Sequence, residues 1–354
     1  MTENQTQRLS EEELELLRAL CACGSTPGDE VPLARLVAAR WRAAGWHPEA
    51  LGRYAVYARS PEWREGRPTM LVCAHLDSPG FIVDGVTDVA DGAAHCVALG
   101  HPHPSPREET PVRLRGRDGR EYAGELRCLS EDELEVSSTE GRRPEIGDRV
   151  WFAPQFAVDE SAGLLVTPFL DNRAGCWALC RLAELLGQGG RQRANVIVAA
   201  TAQEEMTGFG AAVLAAQVRA ALVVCLDATY ENVEQDVALG GGPVLTVSDK
   251  STLQAPALLP LLSRLFGRWR LPLSFEVYNY SGTDAAAFPK AGVASPVLAL
   301  LLPTRGNHSP QETASLDDLA AYREMLERLC GDAEALDDLR GYWNGWLSDA
   351  EGRP

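Results

Sequence analysis

Five short apolar runs govern what this chain can fold into: residues 69–74 (TMLVCA), 165–170 (LVTPFL), 195–200 (NVIVAA), 221–226 (ALVVCL) and 296–302 (PVLALLL). They lack the polar alternation of a half-exposed strand, so each reads as a strand covered on both faces. Helical stretches alternate with them, which predicts a largely parallel sheet in a three-layer α/β/α fold. In open sheets of this kind, ligands gather beyond the carboxyl ends of the strands. Each run is followed by a histidine or a carboxylate: His75, Asp171, Glu205, Asp227 and His308. Glu204 stands beside Glu205, and two adjacent like charges call for a cation or a shared proton to hold them together.

The remaining pattern supports this frame. Ser10 and Glu13 form a capping box ahead of a helix over 10–22, and a second helix is expected over 31–45. Further helices are expected near 174–187, 209–218, 255–267 and 315–330, with additional strands near 54–59, 244–247 and 273–278. From Asp84 the texture changes to short alternating stretches separated by turns, which predicts a small all-β insertion over 84–157. The α/β catalytic domain is then discontinuous, 1–83 and 158–354, in keeping with two domains for 354 residues. Within the insertion, His101-Pro-His103-Pro-Ser-Pro reads as a surface loop rather than a metal site.

The formal net charge of −17 argues against nucleic acid or an anionic membrane as partner. No apolar run approaches a membrane span, and the amino-terminal MTENQTQRLSEEELE is too polar for a secretory signal. Nine scattered cysteines without C-x-x-C spacing fit a reduced, cytoplasmic setting.

Two histidines with three carboxylates form a donor set suited to Zn²⁺, with Co²⁺ or Mn²⁺ as alternatives. Five ligands exceed the needs of one catalytic zinc and suit two ions sharing a bridging carboxylate. Asp77, two residues past His75, is placed to accept from the second imidazole nitrogen and fix the ligand tautomer. Glu204, with no metal left to bind, is the expected general base.

His75-Leu-Asp77, Asp171-Asn-Arg173, Glu204-Glu205, Asp227 and Asn307-His308-Ser-Pro, in this order, resemble the dinuclear metallo-aminopeptidases of the tetrahedral (TET) type. That family includes glutamyl and deblocking aminopeptidases and members labelled cellulase. The resemblance extends to Leu170-Asp-Asn-Arg-Ala-Gly, Gly241-Gly-Pro-Val and Gly282-Thr-Asp-Ala, and spans nearly the whole chain. It implies that Asp171 bridges the metals, that His75 and Asp227 complete one site, and that Glu205 and His308 complete the other. It further implies removal of amino-terminal residues from peptide substrates, and association into dimers or a hollow dodecamer aided by the β insertion. Ser281, Gly282, Thr283 and Asp284 are candidates for the substrate pocket, Asp284 alternatively a helix cap. Two departures bear on specificity and assembly: Ser78-Pro79-Gly80 replaces the family's acidic residue after His-x-Asp, and Pro303-Thr-Arg-Gly-Asn lacks the family's aromatic.

A deacylase or carboxypeptidase-like amidohydrolase would use a similar centre, and would need a basic group such as Arg173 or Arg305 to hold a carboxylate. A non-catalytic assembly protein of the same fold is the rival from another class. A glycosidase leaves both histidines unexplained, because its carboxylates work without metal.

Overall fold

The computed structural model describes residues 8–86, 92–104, 109–130 and 133–344. The extreme amino-terminal residues and the acidic carboxyl-terminal tail lie outside them. At the centre are the parallel strands Asn195–Thr201, Thr69–His75, Leu222–Tyr230 and Val297–Arg305, adjacent in that order. Their continuous apolar character has a direct cause. Met70, Val72 and Ala74 pack into one core, whereas Leu71 and Cys73 point to a second core on the opposite face. The same alternation holds in Asn195–Thr201, where Val196 and Val198 face one core and Ile197 and Ala199 the other. Both faces being covered, no position is free to be polar.

Helices Glu11–Ala22, Val31–Ala43, Leu170–Gly187, Leu258–Trp269 and Leu316–Gly331 cover one face, and Phe209–Gln217 with Ala287–Lys290 covers the other. The architecture is therefore three-layer α/β/α. The expectation of a largely parallel sheet holds only at its centre. Both flanks are antiparallel: Ala55–Arg59 pairs with Asn195–Thr201, and Glu312–Ser315 turns back along Val297–Arg305 and pairs with Leu164–Thr167. Only the pairing of Val297–Arg305 with Glu312–Ser315 is closed by a short loop; the other two join segments far apart in the sequence.

Six antiparallel strands between Gly80 and Phe152 close into a small barrel around Phe81, Leu114, Val136 and Trp151. Its first strand, Gly80–Val86, continues directly from the His75-Leu-Asp77 segment and escaped the sequence reading because its glycines obscure the alternation. Gly24 abuts the barrel's Trp151 so closely that an added Cβ would lie 2.2 Å from the indole, so a bare backbone is required at this contact.

Candidate metal centre

Register brings the residues together. Thr201 lies level with His75, and Cys225 with Cys73, so Asp227 and His75 end up side by side at one edge of the sheet. His308 follows its strand as expected, whereas Asp171 arrives differently, at the start of a helix rather than at the end of a 165–170 strand. Asp171 sits in the first turn of the helix Leu170–Gly187, and His308 in the turn between Val297–Arg305 and Glu312–Ser315, with φ +64°. Glu204 and Glu205 occupy a tight turn rather than extended backbone, so the turn, not strand alternation, separates their carboxylates.

The geometry of the five is paired. Asp171 Oδ1 lies 3.1 Å from His75 Nε2, which is also 3.2 Å from Asp227 Oδ1. Asp171 Oδ2 lies 3.3 Å from His308 Nε2, which is 3.4 Å from Glu205 Oε1. Zinc bonds of about 2.0–2.1 Å in a tetrahedron place neighbouring donor atoms roughly 3.3–3.4 Å apart, close to the separations seen. Asp171 Oδ1 and Glu205 Oε1 are buried with no hydrogen-bond donor. Orphaned buried carboxylate oxygens are costly unless a cation satisfies them, so the residues present fit divalent metal. His75, Asp171 and Glu205 each offer a donor atom within 4.8 Å of the others.

The electrostatics point the same way. Burial alone would lower the His308 pKa, but Glu205 and Asp171 push it up to about 10. His75 is likewise driven upward against its burial by Asp227 and Asp171. Burial, reinforced by Asp171, raises Glu205 to about 8. Glu204 is held well above the carboxylate range by burial together with Asp227, Glu205 and Asp284. Asp171 runs the other way: its burial is outweighed by the hydrogen bonds and charge of His308 and His75, which hold it below the ordinary carboxylate range. A site that makes its imidazoles strong bases and Glu204, Glu205 and Asp227 weak acids selects for added positive charge.

Backbone positions are fixed by buried groups. Asp77 was expected to accept from His75 with its carboxylate, but that oxygen is 3.9 Å from Nδ1, and the Asp77 main-chain carbonyl takes the contact at 3.0 Å. The carboxylate instead accepts from the N–H groups of Glu204 at 3.0 Å and Glu205 at 3.1 Å. Glu312, which sequence reasoning missed, does the same for two candidate ligands, accepting from the N–H of Asp171 and of His308, each at 2.9 Å. The Tyr322 hydroxyl accepts from the Asp227 N–H at 3.1 Å. Ser78, where the family pattern has an acid, donates to the Asp171 carbonyl at 2.6 Å.

A cavity of about 510 Å³ opens over the centre. Glu204, Glu205, Asp171, Asp227 and His308 line its floor, and Ser281, Gly282 and Thr283 part of its wall. Asp284 is not on that wall. It is buried behind Thr201, whose hydroxyl donates to it, and borders a second cavity of about 470 Å³ on the other side of Glu204. Arg173 is fully buried and donates to the carbonyls of Leu20, Cys23 and Leu76, while Arg305 pairs with Glu231, so neither arginine faces the cavity. Lys250 does, beside Tyr230, Tyr278 and Tyr280. No sequence signal had marked these four. His101 and His103 also line the cavity, although their motif reads as plain surface loop.

A family profile described as M42 glutamyl aminopeptidase matches residues 132–325. A relative from Acetivibrio thermocellus is 28% identical over 172 residues, 47% of this chain and 51% of that protein. A lysyl aminopeptidase of Pyrococcus furiosus is 26% identical over 76% of this chain and 83% of its own length. Among solved structures, a TET aminopeptidase from a marine sediment Thaumarchaeota archaeon superposes with a TM-score of 0.84 at 19% identity, covering 93% of this chain and all of that one. The Pyrococcus horikoshii TET1 peptidase, which can assemble into a tetrahedron or a large octahedral shell, gives 0.78 at 23% identity, covering 90% and 99%.

Proposed function

The chain belongs to the M42 glutamyl aminopeptidase family and is a hydrolase of peptide bonds, and from that premise we propose that it removes amino-terminal residues from peptides at a two-metal centre with Glu204 as general base. One observation carries the two-metal reading: the two oxygens of Asp171 face different imidazoles, each with its own second carboxylate. His75, Asp227 and Asp171 would hold one ion, and His308, Glu205 and Asp171 the other, with Zn²⁺ favoured by the donor set and Co²⁺ or Mn²⁺ as alternatives.

When bound, such a pair supplies an acidified water and an electrophile for the peptide carbonyl. Glu204 lines the cavity floor without being one of the paired donors, which suits it to take the nucleophile's proton and return it to the leaving amine. Asp77 holds that carboxylate's backbone in place. The acidic floor attracts the substrate's free α-ammonium group. The burial of Arg173 and the pairing of Arg305 weigh against the deacylase and carboxypeptidase-like rivals as first framed. Self-association of this chain through its barrel is part of the proposal, with the assembling TET1 peptidase as the parallel. A cytoplasmic setting is also proposed, in keeping with nine cysteines of which none is disulfide-bonded.

The test is a panel of aminoacyl and N-acylated amides with metal-reconstituted protein. Aminoacyl substrates are expected to be cleaved, and Glu204→Gln to lose at least about 10²-fold in kcat while still binding metal. Absence of aminoacyl hydrolysis with every metal, or full activity of Glu204→Gln, sinks the reading. Size in solution tests the assembly.

A further inference from the structure

His308 and Glu205 are contacted from outside the α/β domain. The barrel strand Ala94–Leu99 leads into Gly100 and the His101-Pro102-His103 segment, whose backbone meets His308. Resting on the two-metal reading above, we infer that this loop is the positioning element for the Glu205–His308 site, and that the His75–Asp227 site does not depend on it.

Four contacts carry the inference. His308 Nδ1 lies 3.1 Å from the His101 carbonyl, so with Nδ1–H donating there, Nε2 keeps its lone pair for the metal side. The His103 N–H donates to the His308 carbonyl at 2.7 Å. The His103 ring lies over the His308 ring, centroids 6.1 Å apart and planes 24° from parallel. Gly100, at φ +76°, brings its backbone against the other ligand: a Cβ there would stand 3.3 Å from Glu205 Cβ.

The asymmetry between the imidazoles gives the loop its purpose. His75 lies on a central strand, and its Nδ1 contact is the nearby Asp77 carbonyl, so the α/β domain alone orients it. His308 sits in a turn with a left-handed backbone, a conformation disfavoured for a non-glycine residue that needs outside support. Glu312 fixes its N–H; the barrel loop fixes its carbonyl, its Nδ1 and one face of its ring. Pro102, with its locked φ and its restriction of His101 toward extended backbone, stiffens the loop that does this.

The experiment measures metal per folded chain and the rate at which each ion is lost to a chelator, for wild type, His308→Ala, His103→Ala, His103→Phe and Pro102→Gly. Wild type is expected to hold two ions and His308→Ala one. His103→Ala and Pro102→Gly are expected to release one ion about 10-fold faster or more, the other at the wild-type rate. His103→Phe, which keeps a flat ring over His308, is expected to restore most of the retention. If His308→Ala loses one ion but both loop variants release both at wild-type rates, or release both equally faster, this inference falls and the two-metal reading stands. If wild type holds fewer than two ions, or His308→Ala still holds two, both fall together.

Discussion

Asp77→Asn separates two accounts of how the centre is held. Its carboxylate receives the N–H groups of Glu204 and Glu205 at 3.0 and 3.1 Å, and it is completely buried. Asparagine keeps one acceptor oxygen and turns an NH₂ toward the other donor. A hydrogen bond to a charged group contributes about 1.5–3 kcal/mol, and a buried unsatisfied donor costs about 1–3 kcal/mol. Loss of about 2–3 kcal/mol from the positioning of this turn corresponds to roughly 30–160-fold at 1.36 kcal/mol per factor of ten. The expected outcome is a fall of that size in kcat/KM, with weakened binding of the ion held by Glu205 and His308 and near wild-type binding at His75–Asp227. Metal titration monitored by calorimetry, beside steady-state kinetics, reads both. If Asp77 works through the His75 tautomer instead, the His75 ion is lost first. That result, or a kcat/KM within twofold of wild type, refutes the reasoning.

Three further outcomes follow from particular residues. Lys250 is exposed on the cavity wall, and no carboxylate among the described residues pairs with it; Lys250→Glu should shift kcat/KM about tenfold away from amino-terminal Glu and toward amino-terminal Lys, and an unchanged ratio in the aminoacyl panel removes Lys250 from side-chain selection. Glu13 is buried, which alone would raise its pKa, yet the Ser10 N–H, Arg323 and Arg181 outweigh burial and hold it below the ordinary value. Its contribution is therefore present at neutral pH and lost as pH falls from about 4.5 through the lower folded value. Glu13→Gln should cost about 1–3 kcal/mol at pH 7 and flatten the acid limb of stability against pH, and a parallel limb in urea melts refutes the assignment. Chelation should lower the unfolding midpoint, because ligand at 100 times its Kd stabilises by about 2.7 kcal/mol; a midpoint insensitive to chelator speaks against tight metal binding.

The sequence was most legible where one strand faces two cores. Strands such as Asn195–Thr201 have no polar option on either side, so their apolar runs announce both the strand and its burial. Polar residues that end these apolar runs or follow them, His75, Asp227, Glu204 and Glu205, were readable for the same reason. The supporting groups were not, because their partners are backbone atoms brought near by tertiary folding. Glu312 meets Asp171 across 141 residues, and Tyr322 meets Asp227 across 95. A buried glutamate on a short strand looks like any exposed one until the N–H groups facing it are known. The His-Pro-His motif failed differently: proline-rich composition correctly marks an irregular loop, but says nothing about what that loop rests on.

The adjacent carboxylates now have a specific physical account. Burial and repulsion from nearby carboxylates raise both Glu204 and Glu205, and the nearby imidazoles offset this in part: His75 acts on both, and His308 acts on Glu205. Asp77 grips both N–H groups beneath them, so the pair moves as one body. Any shift of that turn must displace the proposed base and one ligand of the second site together. Loosening the second site from the barrel side, through His308, leaves Glu204 gripped by Asp77. Perturbation at Asp77 should therefore depress kcat and metal retention in step, whereas perturbation at His103 should change metal retention first and kcat only as the ion leaves. Restoring metal by excess would rescue the second and not the first.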